Sequence, residues 1–318
     1  MVCAMGLAIG VDVGGTKIAA GVVDDSGLVL EKQRIRTPED DPEALRSAIV
    51  VLVQDLKARH DVVAVGIGAA GFVNAERTGV YFSAHVPFGN APLAEKLQET
   101  LDLPVSIEND GNAAAWAEHT FGAGQGVDDQ LMVALGTGIG GGLILGGQLY
   151  RGGHGVAAEI GHINLVPGGR LCECGREGCF EEYASGNALQ RMAREAAADG
   201  DAPTLLAGAD GDASAITGDQ VTELARTGHE EGLRMFEQLA KPLGNGIATL
   251  VAVLDPTLVV VGGGVSDAGE FLLQPVRPAL ERQLSGRGHR EPPELRLAAL
   301  GNDAGVIGAA DLARRSAS

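Results

Sequence analysis

The sequence is poor in basic residues and has no long apolar run. It carries 24 Lys and Arg residues against 42 Asp and Glu residues, which gives a formal net charge of −18. A field of that sign repels phosphate backbones and anionic lipids, so we expect no nucleic-acid or membrane partner. No apolar stretch is long enough to span a bilayer, and the opening MVCAMGLAIGVDVGG has neither a basic n-region nor a cleavage pattern. We therefore expect a cytoplasmic protein.

The sequence does contain enough apolar material for large cores. Of its 318 residues, 45% are hydrophobic and 21% are charged, which is typical of a globular protein. The length suits two compact domains that could hold a ligand between them. The 48 glycines gather in stretches such as GTGIGGG and VVVGGGVS. Clusters of this kind indicate turns where the backbone approaches a ligand closely.

Hydrophobic periodicity predicts alternating strands and helices. We expect strands at residues 8–12, 18–23, 62–67, 105–107, 131–135, 143–145 and 257–261, and helices at 42–60, 93–101, 111–121, 230–254, 270–284 and 302–313. Helix 230–254 should be bent or interrupted near Pro242, and Asp199–Gly218 should be a mobile surface loop. Residues 131–145 repeat the strand–turn–strand pattern of residues 8–23. That repeat predicts two related halves that face each other across a cleft.

The turn after the first predicted strand combines groups that suit the phosphates of a nucleotide. Asp12 is followed by Gly14, Gly15, Thr16 and Lys17. Glycine N–H groups, a hydroxyl and an ammonium group can donate to phosphate oxygens, and the carboxylate can hold Mg2+ directly or through water. The segment is not a Walker loop, because the GxxxxGK[ST] spacing is absent and a strand follows. The alternative is an ordinary glycine hairpin turn.

Two further glycine clusters are candidates for the same nucleotide. Residues 136–141, GTGIGG, match the dinucleotide pattern GxGxxG, but the glycine-rich sequence that follows is unsuited to the helix which that fingerprint requires. Glu159 is therefore not a ribose ligand. A second phosphate-binding hairpin, with Thr137 and Gly138 at the phosphates, is the better interpretation. Gly263 and Gly264 could lie against adenine or ribose, or could serve only tight strand-to-helix packing.

Four soft or borderline metal ligands lie close together in the pattern H-x9-C-x-C-x4-C. They are His162, Cys172, Cys174 and Cys179. The clustering predicts a Zn2+ site, whereas a disulfide or unpaired bystander thiols are the alternatives. Four protein ligands close the coordination shell, so the zinc would be structural and would fix Glu159 and Glu181, which flank the cluster. Cys3 lies apart from the cluster, and we expect it to be inert.

Taken together and in order, the motifs resemble those of the ROK family of sugar kinases and sugar-responsive repressors, and most of all its glucokinases. The motifs are Asp-x-Gly-Gly-Thr-Lys, Glu-Asn-Asp, Gly-Thr-Gly-x-Gly-Gly-Gly, Glu-x-Gly-His and Cys-x-Cys-Gly-x-x-Gly-Cys-x-Glu. The resemblance runs from Gly10 to about Gly308. It implies an α/β protein of the actin-like ATPase (ribonuclease H-like) fold with a ligand cleft between two domains. It also implies a small domain at 1–115, a large domain with the zinc site at 116–301, and a C-terminal helix at 302–318 that returns to the small domain.

The resemblance implies ATP-dependent phosphorylation of glucose to glucose 6-phosphate, with Mg2+ accompanying ATP and a structural Zn2+. Asp110 would be the general base on the 6-hydroxyl. The sugar-binding residues would be Asn109, Asp110, Glu159, His162 and Glu181. One ring nitrogen of His162 would bind zinc and the other would face the sugar. Asp12 would help hold magnesium, and ATP would be bound by Gly14, Gly15, Thr16, Lys17, Thr137, Gly138, Gly263 and Gly264. Such enzymes are commonly homo-oligomers, so we expect one here.

Several alternatives remain at this stage. Asn109 and Asp110 could simply form an Asx turn or cap the following helix. The acceptor could be fructose, mannose, N-acetylmannosamine or N-acetylglucosamine. A sugar-sensing repressor is a remote alternative, because only eleven residues precede Asp12 and the chain is acidic. Family kinases often carry Asn-Leu-Pro or a close variant where this sequence has His85-Val86-Pro87-Phe88, so we assign no sugar contact there.

Overall fold

The computed structural model describes residues 6–38, 41–83, 86–88 and 92–317. Packing divides the chain into two compact units. The first unit comprises Met1–Asp128, Gly142–Ala158 and Ala299–Ser318, and the second comprises Asp129–Gly141 and Glu159–Ala298. These bounds differ from the predicted 1–115, 116–301 and 302–318, because the helix that starts at Asp110 stays whole in the first unit and residues 142–158 return to it.

The described residues form strands and helices that alternate along much of the chain. The strands are β1 (Leu7–Val13), β2 (Lys17–Val23), β3 (Val29–Arg36), β4 (Val62–Ala69), β5 (Phe72–Val73), β6 (Val80–Phe82), β7 (Val105–Asn109), β8 (Gln130–Leu135), β9 (Ile139–Leu145), β10 (Gln148–Leu149), β11 (Leu258–Gly262) and β12 (Glu294–Leu297). The helices are α1 (Pro42–Lys57), α2 (Leu93–Leu101), α3 (Asp110–Phe121), α4 (Glu181–Ala184), α5 (Gly186–Ala198), α6 (Pro203–Gly208), α7 (Gly218–Arg226), α8 (Glu230–Leu254), α9 (Glu270–Gln283) and α10 (Ala304–Ala317). No helix among these residues is long and apolar enough to cross a membrane.

The first sheet has the strand order β3-β2-β1-β4-β7. Strands β1, β4 and β7 run parallel, and β2 and β3 are antiparallel additions at one edge. Apolar side chains of this sheet pack with α1 and α2 in one core, while α10 packs on the opposite face. The helix lies directly on the strands because Gly10 and Gly66 have no side chain; a Cβ at either position would overlap the backbone of α10.

The second sheet repeats this arrangement in the order β10-β9-β8-β11-β12. In each sheet a short turn joins the first two strands, which lie side by side, and the first strand pairs in parallel with one later strand. The hairpin turns, residues 14–16 and 136–138, occupy equivalent positions. The predicted repeat of residues 8–23 in residues 131–145 is therefore confirmed at the level of topology.

The structure corrects two local predictions. The segment Asp199–Gly218, predicted as a mobile loop, contains α6, because buried Glu231 accepts hydrogen bonds from the N–H groups of Thr204 and Leu205 at the start of that helix. Helix α8 continues through Pro242, so the predicted interruption is wrong, whereas the alternative of a bend stays a prediction. Its Gly244 allows close packing on α9, where a Cβ would meet Leu280 N at 2.6 Å.

Candidate active site

The junction of β7 and α3 presents Asn109 and Asp110 at the carboxyl edge of the first sheet. Parallel pairing aligns Asp12 of β1 with Gly68 of β4, and Gly68 with Glu108 of β7. The carboxyl ends of β1, β4 and β7 therefore lie at one edge, which is where open α/β sheets bind ligands. This placement confirms the expected position of Asn109 and Asp110 at the end of a strand.

Asn109 caps α3, as the structural alternative proposed. Its side-chain oxygen accepts a hydrogen bond from Asn112 N at 3.0 Å. Its Nδ2 donates to Gly71 O at 3.2 Å and to Asp110 Oδ1 at 3.1 Å. The amide is thus fixed by three contacts, and the cap does not conflict with a further contact to a substrate, because an amide oxygen has two lone pairs.

Asp110 is half-buried at the first position of α3. The N–H of Gly111 donates to its Oδ1 at 2.9 Å, as does Asn109 Nδ2. Burial is the main cause that raises the pKa of Asp110 to about 6, and the negative charge of Asp12 adds to it. The carboxylate is consequently ionised at neutral pH yet far more basic than an ordinary aspartate, which suits a group that accepts a proton.

An ion pair beneath this junction was not found from the sequence. Glu108, only 3% exposed, accepts from Arg151 Nε at 2.7 Å through one oxygen. Its other oxygen accepts from Asn112 Nδ2 at 3.0 Å and from Asn109 N at 3.2 Å. The pair holds the backbone of the cap residue and connects it to the segment 142–158 of the same unit. A distance of 43 residues along the chain separates the partners, so no local pattern could reveal it.

The first glycine turn lies beside Asp12. Gly15, Thr16 and Lys17 are exposed, as expected for residues that meet a ligand. Burial raises the pKa of Asp12, whereas the charges of Lys17 and Lys32 oppose that rise. The Asp12 carboxylate abuts the first turn of α10, where a Cβ on Gly305 would come within 3.0 Å of its Cγ.

The second glycine turn belongs to the second unit. Its carbonyl groups at Gly136 and Thr137 accept hydrogen bonds from Gly186 N at 2.8 Å and Asn187 N at 3.3 Å, in the first turn of α5. A carboxylate oxygen of Glu181 accepts from Ile139 N at 3.4 Å. These contacts orient the predicted phosphate residues from one side.

Glu181 also contacts Gly138, since a Cβ there would overlap its Oε2. Gly263 has a positive φ of 83° and packs against the Leu135 backbone, so packing alone accounts for this glycine. Gly264 faces open space. The close packing of Gly263 favours the structural interpretation of that glycine, and it leaves a backbone contact with a nucleotide open for both residues.

The four predicted metal ligands converge in the second unit. One ring nitrogen of His162 and the sulfurs of Cys172, Cys174 and Cys179 all lie within 4.8 Å of one another. Cys172 Sγ is 3.7 Å from His162 Nδ1, and Cys174 Sγ is 3.6 Å from Cys179 Sγ. Tetrahedral zinc with Zn–S bonds of about 2.3 Å requires ligand separations of about 3.5–3.8 Å. The donor set and its spacing fit a closed zinc site.

Glycine also builds the backbone around these ligands. Gly175 and Gly178 have φ values of 84° and 79°, which let the chain turn sharply between the cysteines. Gly161 packs on the carbonyl of Ile139, so the short turn that carries His162 lies against the second glycine turn. Glu181 Oε1 lies 3.2 Å from His162 Nδ1. Metal ligands and predicted sugar ligands therefore share one neighbourhood.

The predicted residues thus form two groups. The first unit holds Asp12, the turn 14–17, Asn109 and Asp110. The second holds Glu159 and the remaining predicted nucleotide, sugar and metal ligands. Glu159 directly follows Ala158, which has a φ of 68°, an uncommon conformation for a residue other than glycine. Cys3 and His85 lie outside the described residues.

Comparison with known proteins agrees with this arrangement. Residues 8–316 match the model of the ROK family. A glucokinase from Streptomyces coelicolor is 48% identical over 312 residues, which cover 98% of both chains. An N-acetylmannosamine kinase from Yersinia pseudotuberculosis is 33% identical over 313 residues, covering 98% of this chain and all of the relative.

Among solved structures, a ROK glucokinase from Streptomyces griseus in complex with glucose and AMPPNP is 48% identical, with a TM-score of 0.89, and the alignment covers 98% of this chain and 100% of that one. The aligned region covers nearly the whole of this chain and therefore extends over both units. The chain therefore belongs to the ROK family and has the actin-like ATPase fold of its sugar kinases.

Proposed function

We propose that the protein is a glucokinase, which transfers the γ-phosphoryl group of ATP to the 6-hydroxyl of glucose. The observation that carries the proposal is Asp110, a half-buried carboxylate with a pKa of about 6 at a sheet edge. It occurs in a chain that is 48% identical over nearly its whole length to a glucokinase crystallised with glucose and AMPPNP.

In the proposed reaction the sugar's 6-oxygen forms a bond to the γ-phosphorus while the bond from that phosphorus to the β,γ-bridging oxygen breaks. ADP leaves with the electron pair of the broken bond, and Asp110 accepts the hydroxyl proton. Positioning and charge neutralisation supply most of the rate enhancement in such transfers. Both described hydrogen bonds from neighbours end on Oδ1, so we assign the proton to Oδ2.

The remaining site residues are part of the proposal. Asn109, Glu159, His162 and Glu181 bind the other sugar hydroxyls. Asp12 helps to hold the Mg2+ that accompanies ATP, and this ion neutralises charge on the phosphates. The nucleotide contacts are Gly14, Gly15, Thr16, Lys17, Thr137, Gly138, Gly263 and Gly264. The domain boundaries predicted from the sequence and a homo-oligomeric state also remain proposals.

The Cys and His cluster binds a structural zinc in this proposal. His162 would bind it through Nδ1, the atom that faces the Cys172 sulfur, which leaves Nε2 for a sugar hydroxyl. Zinc would draw its ligands into one fixed arrangement and thereby hold the loop that presents His162 and Glu181. The three described thiols, none of them in a disulfide, suit a reducing compartment such as the cytoplasm.

The test is ADP release from Mg-ATP with glucose, fructose, mannose, N-acetylmannosamine and N-acetylglucosamine, beside a control without sugar. We expect glucose to give the highest kcat/KM and the product to be glucose 6-phosphate by 31P NMR. A preference for N-acetylmannosamine, the sugar named for the Yersinia relative, would replace the proposed substrate. ADP release that no sugar increases would overturn the kinase assignment.

A further inference from the structure

Thr37 lies behind the first glycine turn, outside every motif found in the sequence. It follows β3 and is 4% exposed. Pro38 comes next, and a residue before proline is restricted to extended conformations. A buried hydroxyl requires a hydrogen-bond partner, and that of Thr37 has a specific one in the turn.

Thr37 binds the turn twice. Its Oγ1 donates to Gly14 O at 2.7 Å, and its backbone N–H donates to Thr16 O at 3.1 Å. The N–H of Gly14 is used within the turn, where it donates to Lys17 O at 3.1 Å. Thr37 therefore fixes the carbonyl groups of Gly14 and Thr16, the two residues that flank Gly15.

The position of the Gly14 carbonyl decides where the next N–H points. In a trans peptide the C=O and the N–H of the same unit point in opposite directions. Since Gly14 O points to buried Thr37, the N–H of Gly15 points away from it, on the exposed side of the turn. Among the described residues, no hydrogen-bond partner engages the N–H groups of Gly15 or Thr16. Such outward N–H groups form an anion-binding surface.

We propose that Thr37 is a positioning residue for the phosphates of the nucleotide, because its hydroxyl holds the Gly14 carbonyl and so directs the Gly15 N–H toward a phosphate oxygen. The proposal rests on the function proposed above, in which this turn binds ATP. Thr37 does not touch the nucleotide itself. It acts through the orientation of one peptide group, so its effect should fall on phosphate binding and spare the sugar.

The informative substitution is Thr37→Val, which keeps the side chain's shape and the backbone N–H but removes the hydroxyl. One hydrogen bond contributes about 0.5–1.5 kcal/mol, so we expect the KM for ATP to rise roughly 2- to 12-fold. The KM for glucose should stay within about twofold. Thr37→Ser keeps the hydroxyl and should restore the KM for ATP to near the wild-type value.

Thr222→Val is the matched control. Thr222 is 9% exposed, and its Oγ1 donates to Gly218 O at 3.0 Å in α7. This variant loses a comparable hydrogen bond in the second unit, whereas the first glycine turn belongs to the first unit. It should melt at a lower temperature than the wild type while both KM values remain unchanged. Thr37→Ala provides the same nucleotide test if the valine variant does not fold.

Equilibrium binding separates the role of Thr37 from the proposed activity. By calorimetry, Thr37→Val should weaken ADP binding by the same factor as the KM for ATP and leave adenosine binding unchanged. Equal ADP affinity in the wild type and in Thr37→Val, or equal losses for ADP and adenosine, would overturn the positioning role. If the wild type phosphorylates no sugar, the proposed function fails, yet the ADP and adenosine measurement still decides the role of Thr37.

Discussion

The two groups of site residues are held in place by different means. Around Asp110 the protein supplies all the contacts itself: Asn109 caps the helix, Gly111 donates to the carboxylate, and the Glu108–Arg151 pair supports the backbone. Around His162 the ligand atoms converge, but three thiols and an imidazole attract one another only weakly. The first group is therefore prearranged by hydrogen bonds, whereas the proposed zinc would hold the ligands of the second in place.

This difference makes a separable prediction for each group. Removal of metal should disturb the sugar ligands of the second unit and leave the carboxylate of Asp110 in its environment. Substitutions in the Glu108–Arg151 pair should disturb the environment of Asp110 and leave the sugar ligands of the second unit in place. The prearranged group also contains the proposed base, and a proton acceptor must keep both its position and its pKa during turnover.

The largest effect is expected from removal of zinc. Cys174→Ser should lower the melting temperature by about 10 °C or more, because a structural zinc contributes several kcal/mol to folding. Glucose affinity, measured by calorimetry, should fall together with the zinc content measured by mass spectrometry. Cys3→Ser is the control and should retain both. Unchanged glucose affinity in protein without zinc would break the link between the metal and the sugar ligands.

The next effect concerns the ion pair under the base. Arg151→Met leaves the carboxylate of Glu108 without its cation, and loss of one partner of a buried pair costs about 3 kcal/mol or more. Urea unfolding should show this loss, and kcat should fall as the cap residue moves. The control is Arg277→Met, whose pair with Glu270 is 41% and 65% exposed, so it should cost about 0.5 kcal/mol or less. Equal effects would show that Glu108–Arg151 has no special supporting role.

Asp110 should reduce stability at neutral pH, the opposite of a salt-bridged carboxylate. Its pKa is raised to about 6 in the folded state, against about 3.9 in an unfolded chain. The penalty is therefore absent below about pH 4, grows as pH rises, and is complete above about pH 6. Asp110→Asn should raise the free energy of unfolding at pH 8 by about 1–2 kcal/mol and leave it unchanged at pH 4. A variant that is less stable at pH 8 would contradict the raised pKa.

A smaller effect is expected from Gly138→Ala. A Cβ at this position would overlap Glu181 Oε2, so the carboxylate must move from its place beside the metal ligands. If Glu181 binds the sugar, the KM for glucose should rise about tenfold, the equivalent of one charge-assisted hydrogen bond. Gly208→Ala, where nothing lies within 4 Å of the added Cβ, should behave as the wild type. A KM for glucose that is unchanged in Gly138→Ala would contradict the assignment of Glu181 as a sugar ligand.

The sequence predicted those features that depend on local patterns. Apolar periodicity predicted α1 at residues 42–60, and the observed helix has the same first residue and ends three residues earlier. The prediction succeeded because the core residues follow helical spacing and the local sequence marks the start, where Asp41 caps the helix and Pro42 begins it. Ligand spacing predicted that His162 and three cysteines converge, because these residues are close in sequence as well as in space. A short apolar segment placed the strand before Asn109 at residues 105–107, and β7 continues two residues further, to Asn109.

Features that depend on distant partners could not be predicted in this way. The edge strand β3 is mostly half-exposed and lacks a clear alternation of buried residues, so it gave no strand pattern. Thr37 meets Gly14 across 23 residues, and Glu231 caps α6 from 27 residues away. In each case the sequence shows an ordinary polar residue, and only the folded chain supplies its partner.

The most direct test of the account is the turnover of Asp110→Asn measured beside its glucose affinity. The amide cannot accept the proton but can still accept hydrogen bonds, so we expect kcat to fall about 10²- to 10⁴-fold while the Kd for glucose stays within a few-fold. Wild-type kcat should itself decline as pH falls through about 6, the pKa of the Asp110 carboxylate. A variant with near-normal kcat, or a wild-type rate unchanged down to pH 5, would contradict the assignment of Asp110 as the base.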